Sequence, residues 1–199
     1  MYPSDLPSAA IVVAHGAGAG QTSPFLVRTA RGLAARRVSC ATFDFAYMEA
    51  RRRAPDPAPV LEGRWHEAIE AAKRSFQGLP LFIGGKSMGG RIASHVAAQG
   101  GDGIAGLVFL GYPLHPPGKP QQRRDAHLPQ IREPMLFVQG TRDPFGTADE
   151  IRALVPKLQR ATLHEVHGGD HSFKVGKGQG DPIEGILDFV ADWVRRAAV

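Results

Sequence analysis

A chain of 199 residues that is 43% hydrophobic, carries a net charge of +5 and holds a single cysteine, Cys40, has material for one core and none for an internal disulfide. No apolar run reaches the roughly 18 residues of a membrane span, the N-terminus lacks the layout of a signal peptide, and the lone thiol fits a reducing compartment, so a cytoplasmic chain that meets no membrane is expected. The basic excess lies in separate arginine runs at 36–37, 51–53, 123–124 and 195–196; they read as solvated faces on different elements, no nucleic-acid motif accompanies them, and no nucleic-acid partner is expected.

Along the chain, short apolar runs alternate with helical patterns. Ala9 to His15 (AAIVVAH) reads as a strand. Helical spacing follows from Ser23 to Val38, with Pro24 suited to a first turn. Ser39 to Phe45 reads as a second strand, and a proline-rich loop comes after it. Arg64 to Phe76 places Trp65, Ala68, Ile69 and Ala72 on one helical stripe. LPLFIGG gives a third strand, and GGRIASHVAAQG a helix ended by Gly100 and Gly101. Fourth and fifth strands are read in IAGLVFLGYPL and EPMLFVQGT, a helix in TADEIRALVPKL and a sixth strand in ATLHEVHG. An amphipathic helix closes the chain, with Asp181 as its N-cap and Pro182 at its first position.

Strands apolar on both faces that alternate with helices predict an α/β fold. The expected core is a mostly parallel sheet of about six or seven strands, covered by helices on both sides. No repeat or second composition block appears, so one domain over 1–199 is expected. The longest irregular segment, Tyr112 to Glu133, is long for a connection within a compact domain.

Gly85-Lys86-Ser87-Met88-Gly89 sits where the third strand passes into a helix. G-x-S-x-G in that context is a nucleophile elbow: a tight strand-to-helix turn that lifts a serine to the carboxyl edge of a sheet. A serine hydroxyl needs a histidine base, and the base needs an acid to hold its tautomer. In this architecture they follow in the order serine, acid, histidine. Asp143, in a turn just past the fifth strand, and His171, in a glycine-flanked loop past the sixth, fit that order. His167 and Asp170 are the competing base and acid; Asp170 neighbours His171 in sequence, and adjacent side chains tend to point apart. Asp143 also reads as a turn residue that caps its own backbone. AHGAGAG, Ala14 to Gly20, follows the first strand and can aim backbone N–H groups at an oxyanion. The Ala17 and Met88 N–H groups are the expected oxyanion donors. As a phosphate loop the stretch fails both the Walker and the dinucleotide spacings. Lys86 and Arg91 flank the elbow and read as surface or ion-paired residues, with contact to a substrate carboxylate as the alternative.

These residues resemble the α/β-hydrolase superfamily over nearly the whole chain. More closely, AHGAG, FDFAYME, GGKSMGGR, QGTRDPFG and GGDHSF look like a small predicted-hydrolase family. That family includes a testis-expressed protein and a subunit of a chromatin acetyltransferase complex. The chain is also similar in size to dienelactone hydrolases, which use a cysteine where this chain has Ser87. The resemblance implies the α/β-hydrolase fold and ester hydrolysis by Ser87, His171 and Asp143, without metal or cofactor. The closer family implies little about substrate; a carboxylesterase for small or short-chain acyl esters is expected. A monomer or homodimer is expected. A thioesterase, a peptidase or a non-catalytic interaction protein on the same scaffold are the alternatives. No cap domain is inserted after the fourth strand. Phe45, Tyr47, Met48, Tyr112, Phe145 and Phe173 follow strands on the catalytic edge and are expected to line an open pocket.

Overall fold

The structure, a computed structural model, describes residues 1–100 and 103–198. Six strands form one sheet: β1 (Ala9–Ala14), β2 (Val38–Phe43), β3 (Leu81–Lys86), β4 (Gly106–Leu110), β5 (Met135–Gly140) and β6 (Ala161–Val166). Their order is β2-β1-β3-β4-β5-β6, and every neighbouring pair is parallel. The helices are α1 (Pro24–Ala34), α2 (Ala46–Glu49), α3 (Ala58–Ser75), α4 (Met88–Gln99), α5 (Ala148–Leu154) and α6 (Ile183–Ala197).

The inner strands read as unbroken apolar runs because both of their faces are covered, whereas the edge strands β2 and β6 carry polar residues and are partly exposed. Along β1, Ala10, Val12 and Ala14 enter one core, while Ala9, Ile11 and Val13 enter the other. In β5, Met135 and Phe137 take the first side, and Leu136 and Val138 the second. This is the two-residue strand period acting on a sheet with no wet face. The first core is closed by α3, α4 and α5, with Trp65 fully buried at its centre and edge-on to Phe43 at 5.0 Å. Burial of one such aromatic side chain is worth about 3 kcal/mol. The second core lies under α1 and α6, which also exchange surface ion pairs: Arg36 to Asp188 at 2.7 Å and Arg28 to Glu184 at 3.0 Å.

The chain leaves β1 toward β2 on one side and returns to β3 on the other. The crevice where such an order reverses, at the carboxyl ends of the strands, is where open α/β sheets bind ligands. The loops after β1 and β3 flank that point. No domain is inserted between β4 and β5; the connection carries only a single 3-10 turn, Leu128–Gln130. At the outer edge, Tyr2 pairs antiparallel with Cys40 and occupies part of the free side of β2. Among the described residues no helix is long and apolar enough to cross a membrane.

Boundaries differ from the sequence reading at several places. The first helix ends at Ala34, and Val38 opens the second strand. In the closing helix Pro182, not Asp181, is the N-cap and Ile183 the first residue; Asp181 still accepts the Ile183 N–H at 3.1 Å. The second strand ends at Phe43 rather than Phe45, because Phe45 is the N-cap of α2. The third helix starts at Ala58, inside the stretch read as a proline-rich loop. Pro57 is its N-cap and Pro59 lies in its first turn, where a missing N–H costs nothing. Gly100 ends α4 with a positive φ of 75°, while Gly101 lies outside the described residues.

The elbow fits only because two backbones meet without side chains between them. A Cβ on Gly89 would stand 2.6 Å from the carbonyl oxygens of Ala14 and His15, which are backbone atoms of β1 and its loop. Gly89→Ala is therefore expected to cost about 3 kcal/mol, near 10 °C in Tm for a domain of this size. Thermal unfolding followed by circular dichroism checks it; an unchanged Tm would remove this steric account of the turn.

Candidate active site

Ser87 stands between β3 and α4 with φ 50° and ψ −117°, a backbone conformation that a residue with a side chain rarely adopts. Its own N–H donates to the Leu110 carbonyl at 3.1 Å, which fastens the turn to β4. The turn directs the hydroxyl away from the sheet. Ser87 Oγ donates to His171 Nε2 at 2.9 Å, and His171 Nδ1–H donates to Asp143 Oδ2 at 2.7 Å. A carboxylate only accepts, so the imidazole proton sits on Nδ1 and Nε2 faces the serine as an acceptor. Ser87, Asp143 and His171 are thus brought into one hydrogen-bonded line from the ends of β3, β5 and β6.

Asp143 is fully buried. Its second oxygen, Oδ1, accepts the Phe145 N–H at 2.8 Å. The turn-capping role and the contact with histidine therefore coexist in one side chain, one oxygen each. Gln139 also reaches Oδ2 with its amide at 3.0 Å. That same side chain accepts the Tyr112 N–H at 2.8 Å and donates to the Gly146 carbonyl at 2.6 Å. Sequence reasoning missed Gln139; its signal was one polar residue inside the apolar run MLFVQG. Neither competing candidate hydrogen-bonds to the Ser87 or His171 side chain among the described residues. His167 is exposed. Asp170 Oδ1 accepts the N–H groups of Ser172 and Lys174, at 2.8 and 2.9 Å, and shapes the loop that carries His171.

A cavity of about 550 Å³ opens over this line. Ala17 and Met88 both border it. Met88 is the first residue of α4, so its N–H is one of the helix's unpaired donors, and neither that group nor the Ala17 N–H donates to an acceptor among the described residues. The positive end of the α4 dipole lies at the same place. His15 supports the glycine loop from below. It is buried, Nε2 accepts the Phe45 N–H at 3.1 Å and Nδ1–H donates to the Gly16 carbonyl at 2.8 Å. Burial lowers its pKa, in keeping with a neutral ring held between two backbone groups.

Of the residues expected to line the pocket, Phe145 does so, its ring 4.3 Å from that of His171. The others do not. Phe45 and Tyr47 are fully buried and stack on one another below His15, since the chain turns inward into α2 directly after β2. Met48 packs on the same core. Tyr112 is buried against Phe109 and Phe137, with its hydroxyl donating to the Arg124 carbonyl at 2.8 Å. Phe173 has a φ of 62°, and its ring is buried in the second core. The apolar wall comes instead from Phe25 and Leu26 of α1 and from Pro113. Among the described residues no group of three or more His, Cys, Asp or Glu side chains is gathered in the manner of a metal site.

Lys86, inside the elbow, is not a surface residue. Its ammonium donates to the His171 carbonyl and lies 5.5 Å over the Phe173 ring. It joins the loop of the histidine to the strand of the serine. Burial pushes its pKa down to about 8, against the opposing pull of Asp143 and Asp170.

Residues 7–198 match the family described as "Alpha/beta hydrolase domain". The match spans almost the whole sequence, and the chain belongs to that family. Solved structures of the same fold include a dienelactone hydrolase from Anabaena variabilis, 20% identical, with a TM-score of 0.77 over 98% of this chain and 88% of that one. A serine hydrolase without lid from Xanthomonas campestris is 17% identical, with a TM-score of 0.75 over 96% and 84%. A monoacylglycerol lipase from Paleococcus ferrophilus is 16% identical, with a TM-score of 0.74 over 98% and 97%.

Lys86 makes a pH-dependent contribution whose sign is fixed. Its folded pKa lies below the ordinary lysine value of 10.5, so between about pH 8 and 10.5 the unfolded chain holds one more proton. Stability rises with pH across that window. Urea titrations at stepped pH are expected to show wild type gaining on Lys86→Met by up to about 1.4 kcal/mol per pH unit there. A difference that stays flat from pH 8 to 10.5 would contradict the buried, charged lysine.

Proposed function

We propose that this α/β-hydrolase family member is a serine hydrolase that cleaves small carboxylic esters through an acyl-enzyme. The observation that carries the proposal is the line from Ser87 Oγ to His171 Nε2 to Asp143 Oδ2, at 2.9 and 2.7 Å, beside an open cavity. Ser87 Oγ attacks the ester carbonyl carbon while His171 Nε2 takes its proton. The new oxyanion is met by the N–H groups of Ala17 and Met88. The tetrahedral species collapses as His171 returns the proton to the departing alkoxide, and the alcohol leaves. Water then enters, loses a proton to His171 and attacks the acyl carbonyl; collapse frees the acid and restores the serine. Asp143 keeps the proton on Nδ1 and stabilises the imidazolium in both halves.

Ester chemistry is favoured by the open site. A cavity with no inserted domain over it suits a compact acyl group and gives a leaving group a direct way out. The relatives described as a serine hydrolase and as a monoacylglycerol lipase support the same class of reaction.

Ser87→Ala is expected to lower kcat for 4-nitrophenyl acetate by about a million-fold, into the background rate, and Asp143→Asn by about ten-thousand-fold. A fluorophosphonate probe should label wild type at Ser87 and leave Ser87→Ala unlabelled. Turnover that survives Ser87→Ala at the wild-type rate would assign the chemistry elsewhere.

A further inference from the structure

The cavity beside Ser87 carries two guanidinium groups that no ion pair among the described residues neutralises. Arg91 lies one helical turn beyond Ser87 on α4, and Arg124 reaches the same cavity from the segment between β4 and β5. Neither guanidinium forms an ion pair among the described residues. Arg124 is fixed through its backbone, its N–H donating to the Leu114 carbonyl at 2.9 Å and its carbonyl accepting the Tyr112 hydroxyl at 2.8 Å. Its side chain makes no hydrogen bond among the described residues. Arg91 has one contact, Nη1 to His95 Nε2 at 3.4 Å, and its Nε is buried with no partner at all.

The carboxylates near them are already engaged. Glu62 accepts from His95 Nδ1 at 3.1 Å and from Gln99 at 3.0 Å, and Asp125 is held by Arg123. Elsewhere this chain does match arginines with acids: Arg28, Arg36, Arg64 and Arg152 each meet a carboxylate. The third cation at the cavity, Lys86, donates to the His171 carbonyl. Burial and the like charge of Arg124 disfavour the charged form of Arg91, and the nearby Glu62 carboxylate only partly offsets them. Two guanidinium groups that share one cavity without an ion pair among the described residues repel each other, and an anion that enters between them relieves that repulsion.

We propose that the cavity takes a carboxylate-bearing ester, gripped by Arg91 and Arg124 while Ser87 attacks the ester carbonyl. This rests on the serine-hydrolase proposal above and names its substrate class. A guanidinium presents two parallel N–H donors that fit a carboxylate. The one-turn spacing of Ser87 and Arg91, about 6 Å between side-chain roots, puts the anion a few carbon atoms from the scissile carbonyl. Half-esters of short dicarboxylic acids, or acyl esters of short hydroxy acids, have that geometry. The remaining wall, with Phe25, Leu26, Pro113 and Phe145, receives the apolar part.

Matched substrates test it. On the acyl side, 4-nitrophenyl hydrogen adipate is compared with its methyl ester; on the alcohol side, 4-acetoxybenzoate is compared with 4-acetoxybenzamide. The anionic member of at least one pair is expected to have a kcat/KM at least about ten-fold higher with wild type. That ratio should fall toward one in Arg91→Met and in Arg124→Met, the second variant serving if the first does not fold. Equal kcat/KM within both pairs, or a preference that survives both substitutions, overturns the inference while leaving the esterase proposal standing. If no ester is cleaved, the esterase proposal fails by itself and binding decides the anion site. Ser87→Ala protein is then titrated calorimetrically with monomethyl adipate and dimethyl adipate. Binding of the monoanion about ten-fold tighter supports the site, and equal or absent binding of the two overturns it.

Discussion

One strained residue sets the plan of this molecule. Ser87 holds a positive φ between the last bond of β3 and the first turn of α4. That conformation persists because its surroundings over-determine it. The Leu110 carbonyl takes its N–H, and glycines at 85 and 89 let β1 approach at distances no side chain would permit. Remove the close approach and the serine has no reason to leave the plane of the sheet. The parallel order then does the rest: the ends of β3, β5 and β6 lie on one edge, so side chains 84 residues apart in sequence meet within hydrogen-bond distance.

The polar side chains that hold the catalytic line are buried with their partners in place. Asp143 divides its two oxygens between a turn N–H and the His171 ring, and Gln139 holds the acid from the strand behind. His15 bridges two backbone groups beneath the glycine loop. Such satisfied networks fix geometry, since every alternative rotamer leaves a buried donor or acceptor unmade. Arg91, with its unpartnered buried Nε, departs from that pattern on the wall of the cavity, and the half-buried Arg124 beside it forms no ion pair among the described residues, which is why both read as groups addressed to something outside the protein.

What the sequence disclosed follows from which signals are local. Apolar strand runs, the G-x-S-x-G turn and the order of Ser87, Asp143 and His171 depend on neighbours in the chain, and they were legible. The wall of the pocket depends on where the chain goes after each strand. Phe45 and Tyr47 follow β2 and looked suited to the catalytic edge, yet α2 folds them under His15 into the core. Phe25 precedes no strand end and carried no signal, though α1 lays it along the cavity. The prolines at 57 and 59 suggested a loop because composition does not distinguish a proline-rich connection from a helix entry. Lys86 and Arg91 were flagged by position alone. Their separate roles come from what Lys86 pairs with and what Arg91 does not, and that is a tertiary fact.

Lys86 has a mechanical consequence. A closed ring runs from Ser87 Oγ to the His171 imidazole, from the His171 carbonyl to the Lys86 ammonium, and back through the peptide bond joining residues 86 and 87. Two loops joined at both the front and the back of the histidine do not fray independently. The hinge of β3 and the turn after β6 form one cooperative opening unit, and amide protons in both segments should exchange with a common free energy rather than two.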